Sequence, residues 1–183
     1  MHDHFNTGLN VEELIRQVGP QLVVELGAGS GLNTRQLAPL CRELGARLIV
    51  ISDGRKPEVP ELAWVDWRWQ ISYLALKSFT EGSIDVASVD TDHNSWTVDQ
   101  ELGVLAEKVR EGGVVVLHDT VSFALNNGYM TGYGSGDSYR IGEMLKDDRT
   151  YTEVVRSWVG RGYEVVRETE ESNGAVALRR VLL

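Results

Sequence analysis

Apolar positions along this chain alternate between two periods. Val11, Leu14, Ile15 and Val18 recur at helical spacing, after Asn10 as a candidate N-cap and before Gly19-Pro20 as a stop. Gln21–Leu26 then reads as a buried strand, and Leu32–Leu44 as a helix that Gly45 ends. Arg47–Ile51 predicts a second strand, Leu62–Asp66 a short third one, Ile71–Phe79 a helix, and Ile84–Val89 a fourth, buried strand. Ser95–Arg110 is amphipathic, with Val98, Leu102, Leu105 and Val109 on one face, and Glu111-Gly112-Gly113 reads as its end. Val114–Leu117 predicts the fifth strand. Asn126–Gly136 is a loop rich in glycine, with Tyr129 and Tyr133; it is either a lid over an acceptor or an ordinary loop. Ser138–Leu145 reads as a short helix. Tyr151–Val159, Tyr163–Arg167 and Ala175–Val181 read as strands, with Asn173-Gly174 as a hairpin turn between the last two.

Continuous apolar strands alternating with amphipathic helices predict an α/β fold. The expected form is Rossmann-like and doubly wound: a mostly parallel seven-stranded sheet with an antiparallel C-terminal hairpin and helices on both faces. At 183 residues, one domain over 1–183 is expected, with 1–20 as a short helical extension.

Charge and cysteine content narrow the function classes. A formal net charge of −9 argues against a nucleic-acid partner, because phosphate backbones are bound by Lys and Arg. Cys41 is the only cysteine, so neither an intrachain disulfide nor a thiolate metal cage can form; it sits among Leu37, Leu40 and Leu44 and reads as a buried, inert thiol. No apolar run approaches the roughly 20 residues that span a bilayer. Met1-His2-Asp3-His4 lacks the basic start of a signal peptide, which makes a cytoplasmic protein the expectation; His2 and His4 read as a chain end rather than as ligands.

The run Val23-Val24-Glu25-Leu26-Gly27-Ala28-Gly29-Ser30-Gly31 carries the first chemical signal. An apolar strand that breaks into glycines before a helix lets bare backbone approach a nucleotide-like ligand. A dinucleotide fingerprint would place its third glycine at position 32, which is Leu32; here the glycine is Gly31.

Ligands of open α/β sheets bind beyond the carboxyl ends of the strands. The polar residues expected on that rim are Glu25, Asp53, Gln70, Asp90-Thr91-Asp92-His93 and His118-Asp119-Thr120. Asp53 is placed either to accept a ribose diol or to start an Asp-Gly turn. Strands four and five are expected to be neighbours, so Asp90, His118 and Asp119 could converge on one divalent cation. An oxygen-rich set with one imidazole suits Mg²⁺ or Mn²⁺. His118 and Asp119 can both serve only if the chain is already turning there, since adjacent strand residues face opposite ways.

The Glu-x-Gly-x-Gly-x-Gly form resembles motif I of class I S-adenosylmethionine (SAM)-dependent methyltransferases. With Asp90-Thr91-Asp92-His93 and Gly112-Gly113-Val114-Val115-Val116-Leu117-His118-Asp119-Thr120, the chain resembles the small metal-dependent O-methyltransferases grouped with macrocin-type sugar methyltransferases and cephalosporin hydroxylase-like proteins, over roughly residues 20 to 125. The resemblance implies a cofactor site at Glu25, Gly27, Ala28, Gly29, Gly31, Asp53, Gln70 and Asp90. It implies Asp90, His118 and Asp119 as metal ligands, with His93 as general base. Asp92 would orient His93 or favour a helix N-terminus.

Such an enzyme would position a hydroxyl of a small-molecule acceptor, with a divalent cation, Mg²⁺ first, lowering its pKa and an imidazole taking its proton. About 20 residues precede the first strand, so either the acceptor is small or a further subunit completes the pocket; a homo-oligomer stays open. The alternatives are a non-catalytic SAM-binding module and a nucleotide- or NAD-binding oxidoreductase, the second of which Leu32 opposes.

Overall fold

A computed structural model of the chain describes residues 8–53, 60–121 and 147–182. The loop expected at 126–136, the helix expected over 138–145, and His2 and His4 lie outside these residues. Seven strands form one sheet in the order β3-β2-β1-β4-β5-β7-β6. They are β1 (Leu22–Leu26), β2 (Arg47–Ile51), β3 (Asp66–Arg68), β4 (Ile84–Val89), β5 (Val109–His118), β6 (Tyr163–Thr169) and β7 (Ala175–Arg180). The first five run parallel; β7 is antiparallel to both β5 and β6.

Two apolar layers flank the sheet. On one face Val24, Leu26, Ala87, Val89 and Leu117 pack under α3 (Ser72–Leu76), α4 (Ser95–Lys108) and α5 (Tyr151–Ser157), which contribute Leu76, Leu102, Leu105, Tyr151 and Val155. On the other, Val23, Val50, Val86 and Val116 pack under α1 (Val11–Val18) and α2 (Leu32–Leu44), through Leu14, Ile15, Leu37 and Cys41. The alternation of side chains along each strand thus feeds two cores, which is the doubly wound arrangement expected. Burial pushes the Cys41 thiol up to about 12, with Glu25 adding to the rise, so it is unreactive.

Four local expectations are corrected. The third strand is Asp66–Arg68 and not Leu62–Asp66; Leu62 and Val65 are apolar because they plug the core from a 3₁₀ turn (Pro60–Leu62) and the residues after it. Gly112-Gly113 does not end α4 but kinks β5, which already begins at Val109. Gly112 has φ +75°, and a Cβ on Gly113 would lie 2.6 Å from Val109. Tyr151–Val159 is not a strand: Thr150 and Glu153 form a capping box that starts α5, and Tyr151, Val154 and Val155 bury one helical face. Asn173-Gly174 is not a two-residue turn but closes a five-residue connection containing a 3₁₀ turn (Glu171–Asn173).

Candidate functional site

The carboxyl ends of β1, β4 and β5 meet at one rim. Gly27 leaves β1 with φ +85°, its N–H donating to the Ile51 carbonyl at 2.9 Å, while the Asp90 N–H donates to the Leu26 carbonyl at 2.9 Å. A Cβ on Gly27 would stand 2.0 Å from the Asp90 carbonyl oxygen, so only glycine fits between these strand ends. Gly29, at φ +48°, has open space beside it, with nothing within 4 Å of where a Cβ would stand. Gly31 caps α2 with backbone alone and closes the turn by donating to the Ala28 carbonyl at 2.7 Å. The first turn of α2 carries no acidic residue of its own.

Glu25 lies beneath the turn, fully buried. Burial pushes its carboxyl up to about 8, with the Thr34 hydroxyl of α2 opposing and the Asp90 charge adding to the rise. Asn33, also on α2, donates from Nδ2 to Asp90 Oδ2 at 3.0 Å and so ties the helix to the end of β4. Asp53 and Gln70 stand exposed beyond β2 and β3 on the same rim.

Beyond β4 and β5 the chain turns sharply at two non-glycine residues, His93 at φ +50° and Asp119 at φ +59°. These turns bring His93 Nε2 to 3.1 Å from Asp90 Oδ1 and 3.1 Å from Asp119 Oδ2. One ligand atom from each of Asp90, His93 and Asp119 lies within 4.8 Å of the others, the one such grouping among the described residues. Burial works against a charged imidazole here, but hydrogen bonds and charges from Asp119 and Asp90 outweigh it and lift His93 to about 9.

His118 is not in this grouping. It is the last residue of the β5 ladder, opposite Ala175, and is buried. The turn comes one residue later, at Asp119. Asp92 accepts from the Thr97 hydroxyl at 3.3 Å in the first turn of α4. Asn94 caps that helix, accepting from the N–H groups of Trp96 and Thr97 at 3.0 and 3.4 Å.

Two residues of the site were not singled out from the sequence. Glu101 of α4 is fully buried, its two oxygens accepting from the Ser72 hydroxyl and, at 3.1 Å, the Thr91 hydroxyl. Its signal was an acid beside Leu102 on the apolar side of the helix. Tyr151 of α5 packs its ring 5.5 Å from the His93 ring; its signal was the capping box that makes the segment helical.

The fold is shared with known proteins. A Staphylococcus aureus structure described as a candidate caffeoyl-CoA O-methyltransferase superposes with a TM-score of 0.65 at 13% identity, covering 93% of this chain and 80% of that one. The O-methyltransferase TomG of Streptomyces achromogenes, solved with SAM, gives 0.62 at 15% identity, covering 94% and 78%. The mycinamycin-pathway methyltransferase MycE, solved with Mg and S-adenosylhomocysteine, gives 0.55 at 16% identity; this chain is 93% covered but spans 48% of that protein. No curated protein matches this sequence. A family model described as a methyltransferase domain matches residues 24–120, from the middle of β1 through the glycine turn to the residue after Asp119. The chain belongs to this methyltransferase-domain family.

Proposed function

We propose that this chain transfers the methyl group of SAM to a hydroxyl of a small-molecule acceptor, with a divalent cation, Mg²⁺ first, held by Asp90, His93 and Asp119. The observation that carries the reading is the convergence of two carboxylates on one imidazole nitrogen, at 3.1 Å each. Two oxygens and one nitrogen suit a hard divalent ion, which would bind in competition with a proton on the imidazole. When bound, it would supply a Lewis acid that lowers the pKa of the acceptor hydroxyl. His93 stands in the ligand set in place of His118, because His93 meets both carboxylates.

The remaining work falls to the chain. The backbone of Gly27, Ala28, Gly29 and Gly31 would admit the cofactor above Glu25, with Asp90 behind it. Asp53 would accept the ribose diol, and Gln70 would face the adenine. Asp92, held by Thr97, would fix the approach of the chain to α4 and hence the position of His93. Methyl transfer is an in-line displacement, so such positioning is most of the catalysis. The SAM-bound and the Mg- and S-adenosylhomocysteine-bound relatives support the same pairing of groups.

A second reading keeps His93 as general base without a cation, and the same two 3.1 Å contacts favour it. A ring lifted to about 9 holds its proton at neutral pH, so that enzyme would work only as the pH rises through 9. Calorimetric titration of SAM with Mg²⁺ or with EDTA, followed by a panel of hydroxylated acceptors, separates the readings. Binding of SAM in both conditions with turnover lost in EDTA is expected. Absence of SAM binding in both would overturn the cofactor site, and EDTA-resistant turnover that climbs through pH 9 would return His93 to the role of base.

A further inference from the structure

We infer that the first turn of α5 is a positioning device for the Asp90–His93–Asp119 trio, with Tyr151 holding His93 and Thr152 holding Asp119. The inference rests on the proposed metal-binding reading of that trio. It concerns a helix that lies outside the matched region 24–120 and that belongs to none of the sequence motifs.

One contact meets a turned residue, His93, and the other meets Thr120, the residue that follows the turned Asp119. Tyr151, 1% exposed, sets its ring 5.5 Å from the His93 ring at 61°, an edge-to-face approach. The next residue, Thr152, donates its hydroxyl to the Thr120 carbonyl at 2.5 Å, immediately after Asp119. His93 and Asp119 are both left-handed, at φ +50° and +59°. A non-glycine residue keeps that conformation only where its surroundings over-determine it. One helical turn touches both places, so it can hold the two halves of the trio in register.

The turn is itself anchored. Thr150 and Glu153 complete its capping box. Just ahead of it, Arg149 pairs with Asp147 at 2.8 Å and with Asp99 of α4 at 2.9 Å. Just after it, Trp158 Nε1 donates to the other oxygen of Asp99 at 2.7 Å. α5 is thereby fixed to α4, whose N-terminal approach carries His93.

The test is Mn²⁺ binding, followed by electron paramagnetic resonance of the free ion, in the full chain and three variants. Thr152→Val removes the hydrogen bond at constant shape, Tyr151→Leu removes the ring, and Val155→Ala loosens the same helix away from the trio. Thr152→Val and Tyr151→Leu should each weaken Mn²⁺ binding about tenfold or more, as outer partners of metal ligands do, while SAM affinity stays within about threefold. Val155→Ala should lower the melting temperature and leave Mn²⁺ affinity within about twofold. Parental Mn²⁺ affinity in both Thr152→Val and Tyr151→Leu would overturn the inference and leave the metal reading standing. Equal weakening by Val155→Ala would reduce the helix to general stability and overturn it as well. A parent chain that binds no Mn²⁺ would overturn the metal reading and this inference with it.

Discussion

Two aspartates mark the two ends of β4, and their surroundings are opposite. Asp85, at the amino end, accepts from the N–H groups of Gln21 and Leu22 at 2.8 Å each and from Arg110 Nε at 2.6 Å. Burial alone would raise its carboxyl, but Arg110 and the two backbone donors win and hold it below the usual carboxylate range. Asp90, one residue past the carboxyl end, has Asn33 and His93 as partners and stands beside two further acids, Asp119 and Glu25. One end of the strand is electrostatically complete within the chain. The other gathers acids around an imidazole, and it is the end to which we assign the cation. A carboxylate is structural or functional by what surrounds it, not by its burial.

The largest effect is expected at the incomplete end. Asp119→Ala should weaken divalent-ion binding by about a hundredfold or more and abolish metal-dependent turnover, with SAM affinity within a few-fold. Calorimetry with Mn²⁺ and with SAM checks both halves, and an equal loss of SAM binding would assign Asp119 to the fold or the cofactor site. Asp85→Asn should do the reverse. It should cost roughly 2–3 kcal/mol in urea unfolding, because Arg110 loses its counter-charge, while Mn²⁺ and SAM affinities stay near the parent's. Because the folded pKa of Asp85 is depressed, its contribution is present above the unfolded carboxylate range and is lost as pH falls through the folded value. The parent should therefore lose its advantage over Asp85→Asn in acid.

Glu25 gives the most pH-dependent effect. Its folded pKa of about 8 stands above the ordinary 4.5, so the native state holds a proton that the unfolded chain has released. Stability should fall as pH rises from about 4.5 through 8, and the full penalty should be present above 8. Glu25→Gln should melt like the parent near pH 4 and above it at pH 9, by at least about 1 kcal/mol. A difference that is constant with pH would mean that Glu25 ionises freely.

Much of this was legible along the chain. The strands β2 and β4 and the helices α1 and α2 have the boundaries that their apolar periods predict, because each buries one continuous face. The glycine turn was legible for a related reason: Gly27 must clear the Asp90 carbonyl, and no side chain can. The failures share another cause. Leu62 and Val65 are apolar without being in a strand, Gly112-Gly113 bends a strand instead of ending a helix, and β-branched Val154 and Val155 sit in a helix that its cap nucleates. In each case local composition matched the wrong element; a local cap decided the helix, and packing in the folded chain decided the other two.

The same division runs through the candidate site. Which acids and histidines end the strands, and hence which rim carries the chemistry, is determined by the sequence alone, because apolar runs must be buried and their polar ends must emerge. Which histidine joins the carboxylates was decided only in three dimensions. β5 keeps His118 in its ladder opposite Ala175 and turns at Asp119, while the chain after β4 turns at His93. That choice depends on two left-handed residues, and no spacing within the motifs encodes it.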